Sequence, residues 1–159
     1  MIPLLRRFWS EDVIEHHGEF YDILPVTFEP KPLQKPSIPI YIGGTSPAAL
    51  RRVGRFGDGW MAHRSNIVFS EGSSLATAED YAELEQQITE IGRHREEAGH
   101  SELPFDIRAF AADLDDIKRC EEIGVTSINA APDAKAKGTK DYFTDWIKRY
   151  ADEVIAKVE

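Results

Sequence analysis

The segment Ile38-Pro39-Ile40-Tyr41-Ile42-Gly43-Gly44-Thr45-Ser46-Pro47-Ala48-Ala49-Leu50 does most to limit what this chain can fold into. Its β-branched and aromatic start reads as a buried strand, Ile38–Ile42, and two glycines end it. Ser46 is placed as an N-cap, with Pro47 at the first helical position, where a missing N–H costs nothing. The helix that follows, Pro47–Phe56, turns Leu50 and Val53 inward and stops at Gly57. A strand that turns straight into a helix is the βα unit of a parallel sheet. Glycines admit a ligand close to the backbone, and the N–H groups of the new helix face whatever lies above the strand end. In α/β folds that place binds ligands, and it suits an anion such as phosphate best.

The same design recurs. Arg55-Phe56-Gly57-Asp58-Gly59-Trp60 and Glu122-Ile123-Gly124-Val125-Thr126 both run from a helix end through glycine into an apolar strand. Strand Gly59–Ala62 leads through a long polar loop to a helix from about Glu79 to Ala98. Thr77 and Asp80 form its capping box, and Tyr81, Leu84, Ile88 and Ile91 its apolar stripe. Strand Phe105–Ala111 precedes helix Leu114–Ile123, with Leu114, Ile117 and Cys120 on one side. Strand Val125–Ala130 precedes a last helix capped at Thr139, with Phe143, Trp146, Ile147, Tyr150 and Val154 at helical spacing. Ahead of this array lie a short helix, then a cap and polar turn over Ser10 to His17. A hairpin of Gly18–Ile23 and Val26–Glu29 is expected around Leu24-Pro25. Pro30, Pro32, Pro36 and Pro39 then forbid helix.

The expected organisation is thus a helix, hairpin and proline-rich lead-in over 1–37, then four βα units over 38–159, in a single domain overall. Alternating strands and helices imply parallel strands with right-handed crossovers. A closed (β/α)8 barrel needs eight such units in about 250 residues. Four parallel strands leave two raw edges and one uncovered face. The fold class is therefore α/β, either half of a (β/α)8 TIM barrel or an open doubly wound sheet.

Composition narrows the partners. The 159 residues carry a formal net charge of −9, from 28 acidic and 19 basic side chains, which argues against a nucleic-acid footprint. A hydrophobic share of 42% is ordinary for a folded domain. Cys120, the single cysteine, excludes a disulfide framework and a thiolate cluster, and its neighbours place it on the inner face of a helix. Met1-Ile2-Pro3-Leu4-Leu5 is too short for a signal peptide, with Arg6-Arg7 on the wrong side, and no run spans a membrane. A cytoplasmic setting with no membrane partner is the expectation. His16-His17, His94 and His100 lack ligand spacing, so no metal is expected, and His94 and Arg95 read as a wet helix face. No Walker loop, nucleophile–base pattern or dinucleotide fingerprint is present.

Taken in order, several motifs resemble the luciferase-like monooxygenase family, especially its branch that uses a deazaflavin coenzyme. They are Trp9 with the acidic turn after it, His17-Gly18-Glu19-Phe20-Tyr21, Pro30-Lys31-Pro32, Gln34-Lys35-Pro36, Pro39-Ile40-Tyr41-Ile42-Gly43-Gly44, Ser46-Pro47-Ala48-Ala49-Leu50-Arg51-Arg52 and Gly57-Asp58-Gly59-Trp60. The likeness covers roughly the first 60 residues well, and beyond Met61 it is only the general βα rhythm. It implies a barrel of which this chain looks like strands five to eight, and an oxidoreductase or monooxygenase using FMN or a deazaflavin coenzyme on a small-molecule substrate. It also implies that the chain is incomplete alone, completed by a missing N-terminal half or by a second copy in a homodimer.

The resemblance makes Gly43, Gly44, Thr45 and Ser46 donors to the cofactor phosphate, where the residues alone say a tight turn with a good N-cap. Trp60 either lines the mouth beside the cofactor or packs the core. His63 reaches substrate or sits in a solvated loop. Arg108 holds an acidic group or pairs locally, for example with Asp106. Asn129 reaches the mouth or serves a turn. Two other classes remain open: a non-catalytic half-barrel remnant or interaction module, and an open-sheet binder of a phosphate ligand, which would show a strand-order switch beside Gly43-Gly44.

Overall fold

A computed structural model describes residues 1–63, 77–111, 114–129 and 140–157. The chain divides into two compact units, Met1–Ile40 and Tyr41–Glu159.

In the first unit, α1 (Ile2–Ser10) is followed by strands β1 (Ile14–His17) and β2 (Asp22–Val26), paired antiparallel. The hairpin therefore lies earlier than expected. Ile14–His17 is a strand, not a polar turn, and the reversal falls at Gly18, whose N–H donates to the Tyr21 carbonyl at 3.0 Å. Leu24 and Pro25 lie inside β2, where the register slips between Ile14 and His16. That irregularity on a two-stranded ribbon is where a residue without an N–H is tolerated. Arg7 forks onto the Glu11 carboxylate at 2.7 and 2.9 Å and reaches the Glu15 carbonyl at 3.2 Å, fastening α1 to β1. The Lys31 ammonium binds the carbonyls of Phe8 and Glu11, and Phe8 meets Phe28 edge-on.

The second unit carries the βα array: β3 (Tyr41–Gly43), α2 (Pro47–Phe56), β4 (Gly59–Met61), α3 (Ala78–Glu97), β5 (Asp106–Phe110), α4 (Leu114–Glu122), β6 (Ser127–Asn129) and α5 (Lys140–Glu153). The strands form one parallel sheet in the order β3-β4-β5-β6. Neighbours in space are neighbours in sequence, as in a barrel, and no switch point lies beside Gly43-Gly44. The open-sheet reading is overturned by that order. The first strand starts at Tyr41 instead of Ile38, because Pro39 cannot donate to a ladder. The long loop after His63, Ala130 and the Thr139 cap lie outside the described residues.

Side chains alternate across the sheet. Ile42, Trp60, Ile107, Ala109 and Ile128 point to the helix side and pack with Leu50, Val53, Leu84, Ile91, Cys120 and Val125 into the core. Thr77 and Asp80 close the predicted capping box on α3. The end of that helix departs from expectation: His94 and Arg95 are buried, 6% and 7% exposed, not on a wet face. Glycine at position 54 of α2 lets α3 approach, and a Cβ there would lie 2.5 Å from the His94 Cβ and 2.9 Å from the Ile91 carbonyl. The polar head of Arg95 stays satisfied by donating to the carbonyls of His100 and Leu103 at 2.7 and 2.6 Å, with its guanidinium over the Phe105 ring. Gly54→Ala forces these helices apart and lowers unfolding free energy by about 1–3 kcal/mol in urea denaturation, the range for overpacking.

Candidate functional site

The alternation that sends Ile107 and Ala109 into the core sends Asp106, Arg108 and Phe110 to the other face of β5. Register aligns Tyr41, Gly59 and Asp106 in one row there, and Gly43, Met61, Arg108 and Ser127 in the next. Tyr41 lies across Gly59 to reach the neighbouring carboxylate. Its Oη donates to Asp106 Oδ2 at 2.7 Å, and a Cβ at position 59 would sit 2.5 Å from the ring. Glycine at that position is thus a demand of close approach.

Asp106 is the hub of this network. Its carboxylate accepts from Ser127 Oγ at 3.0 Å, from Thr126 Oγ1, and from Arg108 at 3.1 Å. Arg108 also donates to Ser127 at 3.2 Å and lies 4.8 Å from the centre of the Tyr41 ring. Burial alone would push the Asp106 carboxyl up. The hydrogen bonds from Thr126, Tyr41 and Ser127 and the nearby Arg108 charge outweigh it, so the net shift is downward. The hydrogen bond to Asp106, then burial, holds the Tyr41 hydroxyl above its ordinary value. Arg108 is accordingly in the local ion pair, in a row below the strand ends. Asp106 is an alternating residue on a buried parallel strand, which marked it in the sequence. Tyr41, Thr126 and Ser127 were missed, and the signal for them was Gly59 opposite Tyr41 once the strands are set in parallel register.

The carboxyl ends of the strands bring the other candidates to one edge. Gly43, Gly44, Thr45 and Ser46 are exposed where β3 passes into α2. Gly44 has φ of +104°, a conformation that excludes residues with a Cβ at small cost. Ser46 caps α2, its Oγ accepting from the Ala49 N–H at 3.3 Å, and the first turn holds no acidic residue. His63 is exposed just past the end of β4, and Asn129 is half-buried at the end of β6. Trp60 stands apart. It has no exposed surface, so it packs beneath the edge instead of lining a mouth, and its Nε1–H donates to the Gly44 carbonyl at 3.0 Å. Among the described residues no cluster of three or more potential ligands could hold a metal, and no helix is long and apolar enough to cross a membrane.

A sequentially ordered parallel sheet with a glycine bend at its carboxyl edge is the architecture of a (β/α) barrel half. The chain belongs to the luciferase-like monooxygenase family, whose profile matches residues 1–113. It is 36% identical to an uncharacterized protein of Mycobacterium tuberculosis over 168 aligned positions, covering 99% of this chain and 51% of that protein. It is 35% identical over 66 residues to an FMNH2-dependent dimethylsulfone monooxygenase of Pseudomonas putida, covering 42% of this chain and 18% of the other. An F420-dependent glucose-6-phosphate dehydrogenase of Microbacterium testaceum is 27% identical over 96 residues, 60% of this chain and 26% of that enzyme. The F420-dependent tetrahydromethanopterin reductase of Methanopyrus kandleri, a TIM barrel, superposes with a TM-score of 0.71 at 13% identity, over 98% of this chain and 61% of that one. The fold is therefore half of a TIM barrel. The chain spans about half the length of the mycobacterial protein and smaller shares of the other curated relatives.

Acid titration tests the hub. Because the Asp106 pKa is lowered by folding, its contribution is present above the ordinary carboxylate value near about 4 and is lost as pH falls through the lowered one. Asp106→Asn removes that contribution, so its urea midpoint falls less steeply than that of the wild type on acidification below about pH 4.

Proposed function

We propose that this chain is the C-terminal half-barrel of a flavin- or deazaflavin-dependent oxidoreductase, and that it supplies the phosphate end of the cofactor site. Family membership supports the reaction class, and the relatives named as FMNH2-dependent and F420-dependent support a flavin or a deazaflavin as the cofactor. The observation that carries the reading is the open cradle at Gly43. Among the described residues, a Cβ there would have the Met61 carbonyl, at 3.9 Å, as its one neighbour within 4 Å, so no described side chain presses on Gly43.

The residues fit an anionic group. Gly43, Gly44, Thr45 and Ser46 would hold the phosphate through backbone N–H groups and the Thr45 hydroxyl, at the positive end of α2. Bound there, the ring of the cofactor supplies hydride transfer or oxygen activation, and the protein supplies placement. His63 and Asn129, on the same edge, are the contacts for a small-molecule substrate. Arg108, held by Asp106, acts on substrate only by setting the charge of the inner face.

The remaining wall comes from a second half, either a further N-terminal segment of the polypeptide or another copy of the chain. Among the described residues, β3 and β6 end the sheet with no strand paired on their outer side, which supports this. A chain of these 159 residues therefore elutes in light scattering as a dimer at micromolar concentration, and a stable monomer counts against closure by a second copy.

Fluorescence titration with FMN and with F420 tests the site. Gly43→Leu fills the cradle without touching the core, so it leaves the melting temperature unchanged and weakens binding at least ten-fold. Equal binding by wild type and variant removes the cradle from the site.

A further inference from the structure

We propose that Trp60 is a positioning residue for the glycine bend: its indole N–H fixes the Gly44–Thr45 peptide so that the Thr45 N–H faces out of the carboxyl edge, toward the phosphate. The inference rests on the cofactor site proposed above and concerns how that site is aimed.

The indole of Trp60 is wholly buried, and a buried N–H needs an acceptor. Here the acceptor is the Gly44 carbonyl, 3.0 Å away, in the bend itself. The Gly44–Thr45 peptide is trans, since the cis bonds of the described chain are Glu29-Pro30 and Lys35-Pro36. A planar trans peptide carries its C=O and N–H on opposite sides. Drawing the carbonyl toward the buried indole turns the Thr45 N–H away from the core, on a residue that is itself exposed. Gly44 cannot set this orientation alone, because a glycine at φ +104° has many other backbone states open to it.

The rest of the helix start raises the weight on that one donor. Pro47 has no N–H, and the Ala49 N–H is engaged by Ser46 Oγ. Two donors that a helix N-terminus ordinarily offers are therefore missing. Trp60 touches neither cofactor nor substrate. It acts through the bend, and this explains why a tryptophan follows Gly59 on the most buried stretch of β4.

Amide NMR of the labelled chain with inorganic phosphate as the probe, joined to FMN and F420 fluorescence titrations, tests the role. In the wild type the Thr45 amide resonance moves as phosphate is added. Trp60→Phe keeps a ring and loses the N–H: the Thr45 response disappears, and phosphate and cofactor bind at least five-fold more weakly. Gly43→Leu, by contrast, weakens binding while the Trp60 indole N–H resonance keeps its hydrogen-bonded shift. Should Trp60→Phe fail to fold, β-(3-benzothienyl)alanine at position 60 replaces the N–H with sulfur at the same shape and gives the same readout. Wild-type binding with the Thr45 amide unmoved, or full binding by a folded position-60 variant, overturns the positioning role and leaves the site standing. Absence of binding of phosphate, FMN and F420 by the wild type overturns the site, and the positioning role with it.

Discussion

In the second unit, the core packs residues of α2, α3 and α4 against one face of a four-stranded parallel sheet, and the polar network among the described residues lies on the other. The covered face is apolar from edge to edge and holds Trp60, Ile107 and Ala109 out of water. The other face would be an exposed patch if it were apolar, and charges placed there singly would lack partners. The sequence meets both demands with a network in which one carboxylate, one guanidinium, one phenol and two hydroxyls satisfy one another. Such a face is stable in water and stays satisfied when water leaves.

The two faces meet at the carboxyl edge. Tyr41 and Gly43 lie on the network side of β3, and Ile42 between them lies on the core side. The bend that follows is tied to the core through Trp60 and exposed above. A rigid floor beneath a glycine loop combines the close approach an anion needs with the fixed geometry that its recognition needs.

How much of this was legible in the sequence depends on range. The helix Pro47–Phe56 was readable to the residue, because Ser46, Pro47 and Gly57 act within one turn. The capping box of Thr77 and Asp80 is equally local. Strand ends were less so: Pro39 moved the start of β3, and the hairpin turn sat at Gly18, not at Leu24-Pro25, because pairing and not the proline decides where a ribbon reverses. Of the candidate residues, the Gly43–Ser46 bend lay where its local pattern put it. The burial of His94 and Arg95 was illegible because it depends on the missing side chain at Gly54, forty residues away in the chain. The Tyr41–Asp106 bond was hidden for the same reason, since it needs the register of three strands at once.

Arg95 closes the return from α3 to β5 by grasping two loop carbonyls while its guanidinium lies over the Phe105 ring. A cation used in this way makes the loop part of the helix that precedes it. To open, the segment between Glu97 and Asp106 must first withdraw that guanidinium from shelter. Amide protons there would exchange with solvent more slowly than those of a surface connection with no such clasp.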